Sequence, residues 1–272
     1  EMGEFVELMQ NKAWIEGTIS PRKRPGAYCT RFARSRTPRV YMSYVGSSSS
    51  SITLAHELGH AFHNWVMRDL PLVQCNYGMS LAETASTLGE AVVRDALLRQ
   101  AETSAARFTI LWEEMNALLA FLLNIPARFE FEDNFYQARS ERSLRPEELS
   151  DMMCSAWKHW YGDALAEPDP MFWASKLHYY ISDRSFYNFP YLFGYLFSSG
   201  VYARREQMGE AFYCRYKDML RDTGRMSAME LAQTHLAVDL EQGDFWRDTL
   251  TMLTTRVDEF ETLCEQLFPA AE

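Results

Sequence analysis

The sequence predicts a mainly α-helical fold with one small antiparallel β-hairpin or sheet beside its first long helix, and three observations predict it. From Ile52 onward, apolar residues recur at helical spacing in nearly every segment between breaker residues. Only two short stretches, both upstream of that point, combine aromatic and β-branched residues between turn residues. The 272 residues are 47% hydrophobic, enough to bury a large core and too many for a disordered chain or a mini-protein.

In chain order, polar helical sequence is already under way at Glu1, Met2 and Gly3. Residues 26–32 and 39–45, bounded by Pro25, Pro38 and Gly46, then read as two strands of a hairpin. Gly46 and the run Ser47–Ser51 form a flexible joint that ends in an N-cap hydroxyl, ahead of a helix over 52–67. Further helices are expected over 80–100, 103–138 with a kink at Pro126, 146–160, a region around 185–220, 227–236 and 244–267. The breaks fall at Pro71, Gly78, Pro146, Pro168, Pro170, Gly224 and Gly243. No repeat or linker divides the chain, and residues 1–272 read as one catalytic domain, built as one large domain or as two closely packed lobes.

Charge and composition narrow the partners. With 37 acidic against 27 basic residues the net charge is -10, which repels phosphates and argues against nucleic acid. The longest nearly uninterrupted apolar run, Leu118–Ile125, is too short to cross a bilayer, and no stretch reads as a signal peptide, so no membrane partner is expected. Five scattered cysteines, odd in number and without paired spacing, suggest neither a disulfide framework nor a sulfur-based zinc site, and fit a reducing cytoplasm.

His56, Glu57, Leu58, Gly59 and His60 form an H-E-x-x-H pattern, whose chemistry follows from helix geometry. At about 100° per residue the two histidines lie roughly 40° apart and one turn apart in height, so both imidazoles reach one ion. Glu57, about 100° from His56, reaches a water on that ion but is poorly placed to ligate it. A catalytic zinc site needs a third protein ligand and an open position for water. Glu83 suits that place: it stands on the next helical segment, where small Ala82, Ala85 and Ser86 let two helices approach closely. Glu90, two turns later on the same face, is a candidate to orient a ligand. Two neutral imidazoles and one carboxylate leave such a site net positive, which acidifies its water and makes Glu57 the candidate general base. A bare H-E-x-x-H also arises by chance in ordinary helices. The apolar frame of Ile52, Leu54, Ala55, Leu58, Ala61 and Phe62, the preceding strand and the following Glu83 set this one apart.

His63 follows on much the same side of the helix but lies about 4.5 Å beyond His60 and roughly 10 Å beyond His56, too far to share their ion, so packing or a contact behind the ligands is expected. His159 and His235 have no partner at a telling spacing and default to the surface. The basic stretch Arg22, Lys23, Arg24, Arg31, Arg34, Arg36 and Arg39 reads as a solvated face or an attractor of acidic peptides or a peptide C-terminus.

Four segments, Leu54–His63, Ala82–Glu90, Arg24–Cys29 and Phe186–Leu196, resemble the oligoendopeptidase F branch of the thimet-oligopeptidase family of zinc metallopeptidases. The resemblance implies a multi-helical, zincin-type catalytic domain, one zinc ion held by His56, His60 and Glu83, and Glu57 as general base. It implies that the strand beside the zinc helix binds substrate backbone by strand addition. It also implies oxyanion donors among His178, Tyr187, Tyr191 and Tyr195. Tyr187 and Tyr191, four residues apart, share one side if their segment is helical, although Pro190 suggests a helix that starts or kinks there. Family members are two-lobed, near twice this length, and this chain resembles their C-terminal, zinc-bearing portion. The implied activity is hydrolysis of internal bonds in unfolded oligopeptides. The alternatives are a gluzincin aminopeptidase, whose Gly-x-Met-Glu-Asn string is absent here, and a non-catalytic peptide-binding relative, which usually lacks the base or a ligand.

Overall fold

The computed structural model describes residues 1–269. Its helices, in chain order, are α1 Met2–Asn11, α2 Ser48–Val66, α3 Met79–Ala82, α4 Thr84–Gln100, α5 Ser104–Leu119, α6 Ile125–Glu141, α7 Pro146–Tyr161, α8 Phe172–Ser175, α9 Phe189–Ala203, α10 Arg205–Met208, α11 Ala211–Asp222, α12 Ala228–Leu236 and α13 Asp244–Leu267. The strands are β1 Ile15–Glu16, β2 Tyr28–Phe32 and β3 Thr37–Tyr41. The predicted helical class and small sheet are therefore present.

The differences from the sequence reading have local causes. The sheet is mixed: β2 and β3 form the expected antiparallel hairpin, and β1 adds to β3 in parallel, in the order β1-β3-β2. Pro38 lies inside β3, opposite Arg31. It is tolerated there because β1 pairs only as far as Val40 and Tyr41, so the missing N–H leaves no β1 partner unsatisfied. Most of the serine run is helix, not joint: Ser47 is the N-cap, accepting from the Ser50 N–H at 3.1 Å, and Ser48 opens α2. Just before Pro126 a π turn over Ala120–Asn124 widens the helix, and the proline then enters the first turn of α6. By length and composition the stretch Ser104–Glu141, 38 residues, is long and apolar enough to span a bilayer, a feature the short run Leu118–Ile125 did not reveal. Within that stretch 22% of the most apolar window is buried, and α5 packs Leu111 against Leu98 and Leu263.

The chain forms two compact units, Glu1–Glu113 with Gly194–Glu272, and Glu114–Phe193. In the first, α2 packs against the sheet and crosses α4 with backbones in contact. A Cβ on Gly59 would stand 2.2 Å from the Ala85 carbonyl oxygen, and one on Gly89 2.6 Å from the Ala55 carbonyl oxygen, so no other residue fits at either position without separating the helices. Phe62 and Phe5 close one end of this core. The second unit is organised by α6 on α7, which bury Ala127, Phe131, Met153, Ala156 and Trp157, with Phe172 and Tyr179 packed against them.

Candidate active site

α2 presents His56 and His60 one turn apart, ring edge against ring face at 4.8 Å. Glu83 occupies the junction between α3 and α4, with φ -87° and ψ 0°, and its carbonyl accepts the Thr87 N–H at 3.1 Å. Its carboxylate thus sits at the positive end of the α4 dipole, where negative charge is favoured. The close crossing at Gly59 and Gly89 then sets Glu83 Oε2 3.4 Å from His56 Nε2 and 3.5 Å from His60 Nε2. Ligand atoms of a tetrahedral zinc site with bonds of about 2.0–2.1 Å stand about 3.3–3.4 Å apart, so the residues present fit a zinc ion. Among the described residues no other trio of His, Cys, Asp or Glu converges this closely.

A surrounding layer orients these groups. His56 Nδ1 donates to Glu90 Oε1 at 2.7 Å, which leaves Nε2 free to face Glu83. Arg94, one turn beyond Glu90 and buried, lies 3.5 Å from its other oxygen. Ser86 Oγ donates to Glu83 Oε2 at 2.7 Å. Burial lowers the His56 pKa, but Glu90 and the charges of Glu83 and Glu57 outweigh it and leave the group above its ordinary value. Burial pulls His60 down to about 4 despite Glu83. Glu57, 5% exposed, is pushed above the usual carboxylate range by burial, with His56 opposing and Glu83 adding to the shift. Its Oε2 is buried without a hydrogen-bond partner among the described residues.

The second unit holds the other predicted residues. His178 stands on a 3-10 turn, Leu177–Tyr180, Tyr187 on a loop and Tyr191 in the first turn of α9. Their rings meet: His178 lies 4.9 Å from Tyr187 and 6.0 Å from Tyr191, nearly parallel to the latter, and the tyrosines are 5.8 Å apart. Because α9 starts at Phe189, the spacing of four does not place both tyrosines on one helix; the loop before it does the work. Tyr195, further along α9, is buried and falls in the first unit.

A family model described as peptidase family M3 matches residues 5–251. The chain belongs to peptidase family M3. It is 25% identical to oligoendopeptidase F, chromosomal, of Lactococcus lactis subsp. cremoris, over 98% of this chain and 44% of that protein. It is equally identical to oligopeptidase PepF of Bacillus subtilis, over 94% of this chain and 38% of that protein. Among solved structures, PZ peptidase A with inhibitor 2 superposes with a TM-score of 0.78 at 18% identity, covering 96% of this chain and 46% of that one. Oligoendopeptidase-F from Enterococcus faecium does so with a TM-score of 0.63 at 24% identity, covering 79% and 39%. The M3 chain described here thus spans under half the length of these relatives.

Several side chains of this M3 chain fall elsewhere than the sequence reading put them. His63 is fully buried as expected, stacked on Tyr77 at 4.1 Å, with Nε2 2.8 Å from Thr223 Oγ1. His235 is not a surface residue: it pairs with Asp222 at 2.9 Å and both are mostly buried. His159 is exposed but not alone, with Nδ1 2.6 Å from Glu130. The basic stretch is only partly a solvated face. Arg31 donates to the Cys75 carbonyl, Arg36 to that of Leu70, and Arg39 covers the Trp14 ring. These partners lie far off in sequence, so no spacing could announce them. The Glu90 and Arg94 pair, one helical turn apart, was readable.

Proposed function

We propose that this M3 chain carries a zinc-dependent endopeptidase site acting on unfolded oligopeptides, with His56, His60 and Glu83 holding one zinc ion and Glu57 as general base. The observation that carries the reading is the triangle in which Glu83 Oε2 stands 3.4 and 3.5 Å from the two Nε2 atoms, beside a buried carboxylate with a free oxygen. A bound zinc ion would polarise the scissile carbonyl and acidify the attacking water. Glu57 takes that water's proton on Oε2 and returns it to the departing amine nitrogen. Glu90 and Ser86 keep His56 and Glu83 aimed while this happens.

The sheet supports a substrate role. β2 is an edge strand, so its outer row of backbone groups is available to an extended peptide. The Cys29 backbone in that strand also lowers the pKa of Glu57 by hydrogen bonding, which puts the edge beside the base. Tyr187, Tyr191 and His178 are proposed to contact the reacting peptide, with donors among them meeting its tetrahedral oxyanion. This role rests on the family resemblance and on the three rings meeting one another.

The test is zinc content by elemental analysis together with turnover of an internally quenched peptide library. Wild-type protein should carry one zinc per chain and cleave internal bonds, and His56→Ala, His60→Ala and Glu83→Ala should each lose tight zinc and turnover. Stoichiometric tight zinc in Glu83→Ala would place the third ligand elsewhere. Bound zinc without turnover in the wild type would replace the enzyme reading with a peptide-binding one.

A further inference from the structure

Beneath the His178 cluster lies a buried polar group that the reaction scheme does not use. Asn188 is 1% exposed and its Oδ1 lies 2.8 Å from His178 Nδ1. The same oxygen lies 3.3 Å from a guanidinium nitrogen of Arg128. One turn along α6 from Arg128, Glu132 is buried, and its Oε1 accepts the Phe186 N–H at 2.7 Å. Phe186 has φ +54°, a left-handed backbone that a phenylalanine adopts only when its surroundings hold it there. Glu132 supplies that hold, and it fixes the loop from which Tyr187 and Asn188 project.

Hydrogen-bond chemistry then decides the protonation of the imidazole. Arg128 can only donate, so the Asn188 atom facing it is the carbonyl oxygen and not the amide nitrogen. An oxygen that accepts from Arg128 also accepts from His178, so the proton of neutral His178 is on Nδ1. We propose that Asn188, set by Arg128 and by the loop that Glu132 anchors, is a positioning residue that commits His178 to the Nδ1–H tautomer, leaving Nε2 an acceptor. Neutral His178 then cannot donate to an oxyanion. It accepts a substrate N–H, and the oxyanion donors are the tyrosine hydroxyls. Burial lowers the His178 pKa, Asn188 offsets part of this, and the charges of Lys176 and Arg128 add to the lowering, so the neutral form prevails at neutral pH.

This rests on the reading that His178 contacts the substrate, and the two can fail separately. Long-range 15N–1H spectra of labelled protein report the tautomer without substrate, with the His178 signals assigned by their loss in His178→Gln. The wild type should show a protonated Nδ1 and a bare Nε2. Asn188→Asp keeps the acceptor oxygen and should keep that pattern; Asn188→Leu, similar in size, removes the acceptor and should abolish it. kcat should fall on the order of 10-fold or more in Asn188→Leu, with the melting temperature as a check on folding and Asn188→Asp closer to wild type. A wild-type Nε2–H tautomer, or an Nδ1–H tautomer that survives in Asn188→Leu, overturns the assignment. Wild-type kcat in His178→Gln, with the tautomer result intact, overturns instead the role of His178 in the reaction.

Discussion

His56, His60 and Glu83 are held by two long helices whose backbones touch, whereas His178, Tyr187 and Tyr191 stand on a 3-10 turn, a loop and the start of a helix. In the first region the positions of the three side chains follow from helical periodicity and one close crossing, so a few residues determine the geometry. In the second, backbone periodicity places nothing. The rings meet because Asn188, Arg128 and Glu132 supply polar contacts across 10, 60 and 54 residues of sequence. A helix-built site is rigid by construction. A loop-built one depends on a buried polar network, and each broken link leaves a buried group unsatisfied.

The largest effect expected from breaking the helix-built region without dismantling it is Glu57→Gln. The amide preserves shape but cannot take a proton, so kcat should fall on the order of 10²–10⁴-fold with zinc content unchanged, measured on the same preparation. Wild-type turnover in that variant removes Glu57 from the mechanism. The loop-built region comes next: Tyr187→Phe and Tyr191→Phe delete a donor and keep the ring. Whichever hydroxyl serves the oxyanion should cost on the order of 10²-fold in kcat, with KM, zinc and melting temperature unchanged. Full kcat in both variants would make the cluster a packing feature and sharpen the contrast further.

A smaller effect probes the crossing itself. Gly59→Ala drives a methyl into the Ala85 carbonyl, so α2 and α4 must separate. Denaturant titration should show a loss of about 3 kcal/mol, with weaker zinc binding as Glu83 recedes from the histidines. Unchanged stability and zinc affinity would mean that the crossing does not set the site.

The smallest effect concerns His63, buried in the last turn of α2, where burial pulls its pKa down to about 3 from 6.5. Between those values the unfolded chain binds a proton that the folded chain refuses, so stability rises with pH. Its contribution is complete above about pH 6.5 and is lost as pH falls towards 3, at up to about 1.4 kcal/mol per pH unit. Unfolding midpoints measured across that range should flatten in His63→Gln relative to wild type; equal slopes would show that His63 titrates normally.

Much of the helix-built region was legible in the chain alone. H-E-x-x-H at helical spacing, small residues around Glu83 and a carboxylate at Glu90 are local patterns, and local geometry converts them directly into positions. The class of fold was legible for the same reason, since helical periodicity needs no knowledge of partners. Tertiary structure alone decided what periodicity does not encode. It added β1 to the sheet in parallel, placed a π turn just before Pro126, paired His235 with Asp222, and turned Phe186 into a left-handed residue held by Glu132. It also chose Nδ1 as the protonated nitrogen of His178, because that choice depends on an asparagine and an arginine delivered by other segments. Contacts within one helical turn are written in residue spacing; contacts between segments depend on how the chain closes on itself, and buried polar groups such as Asn188 find their partners only then.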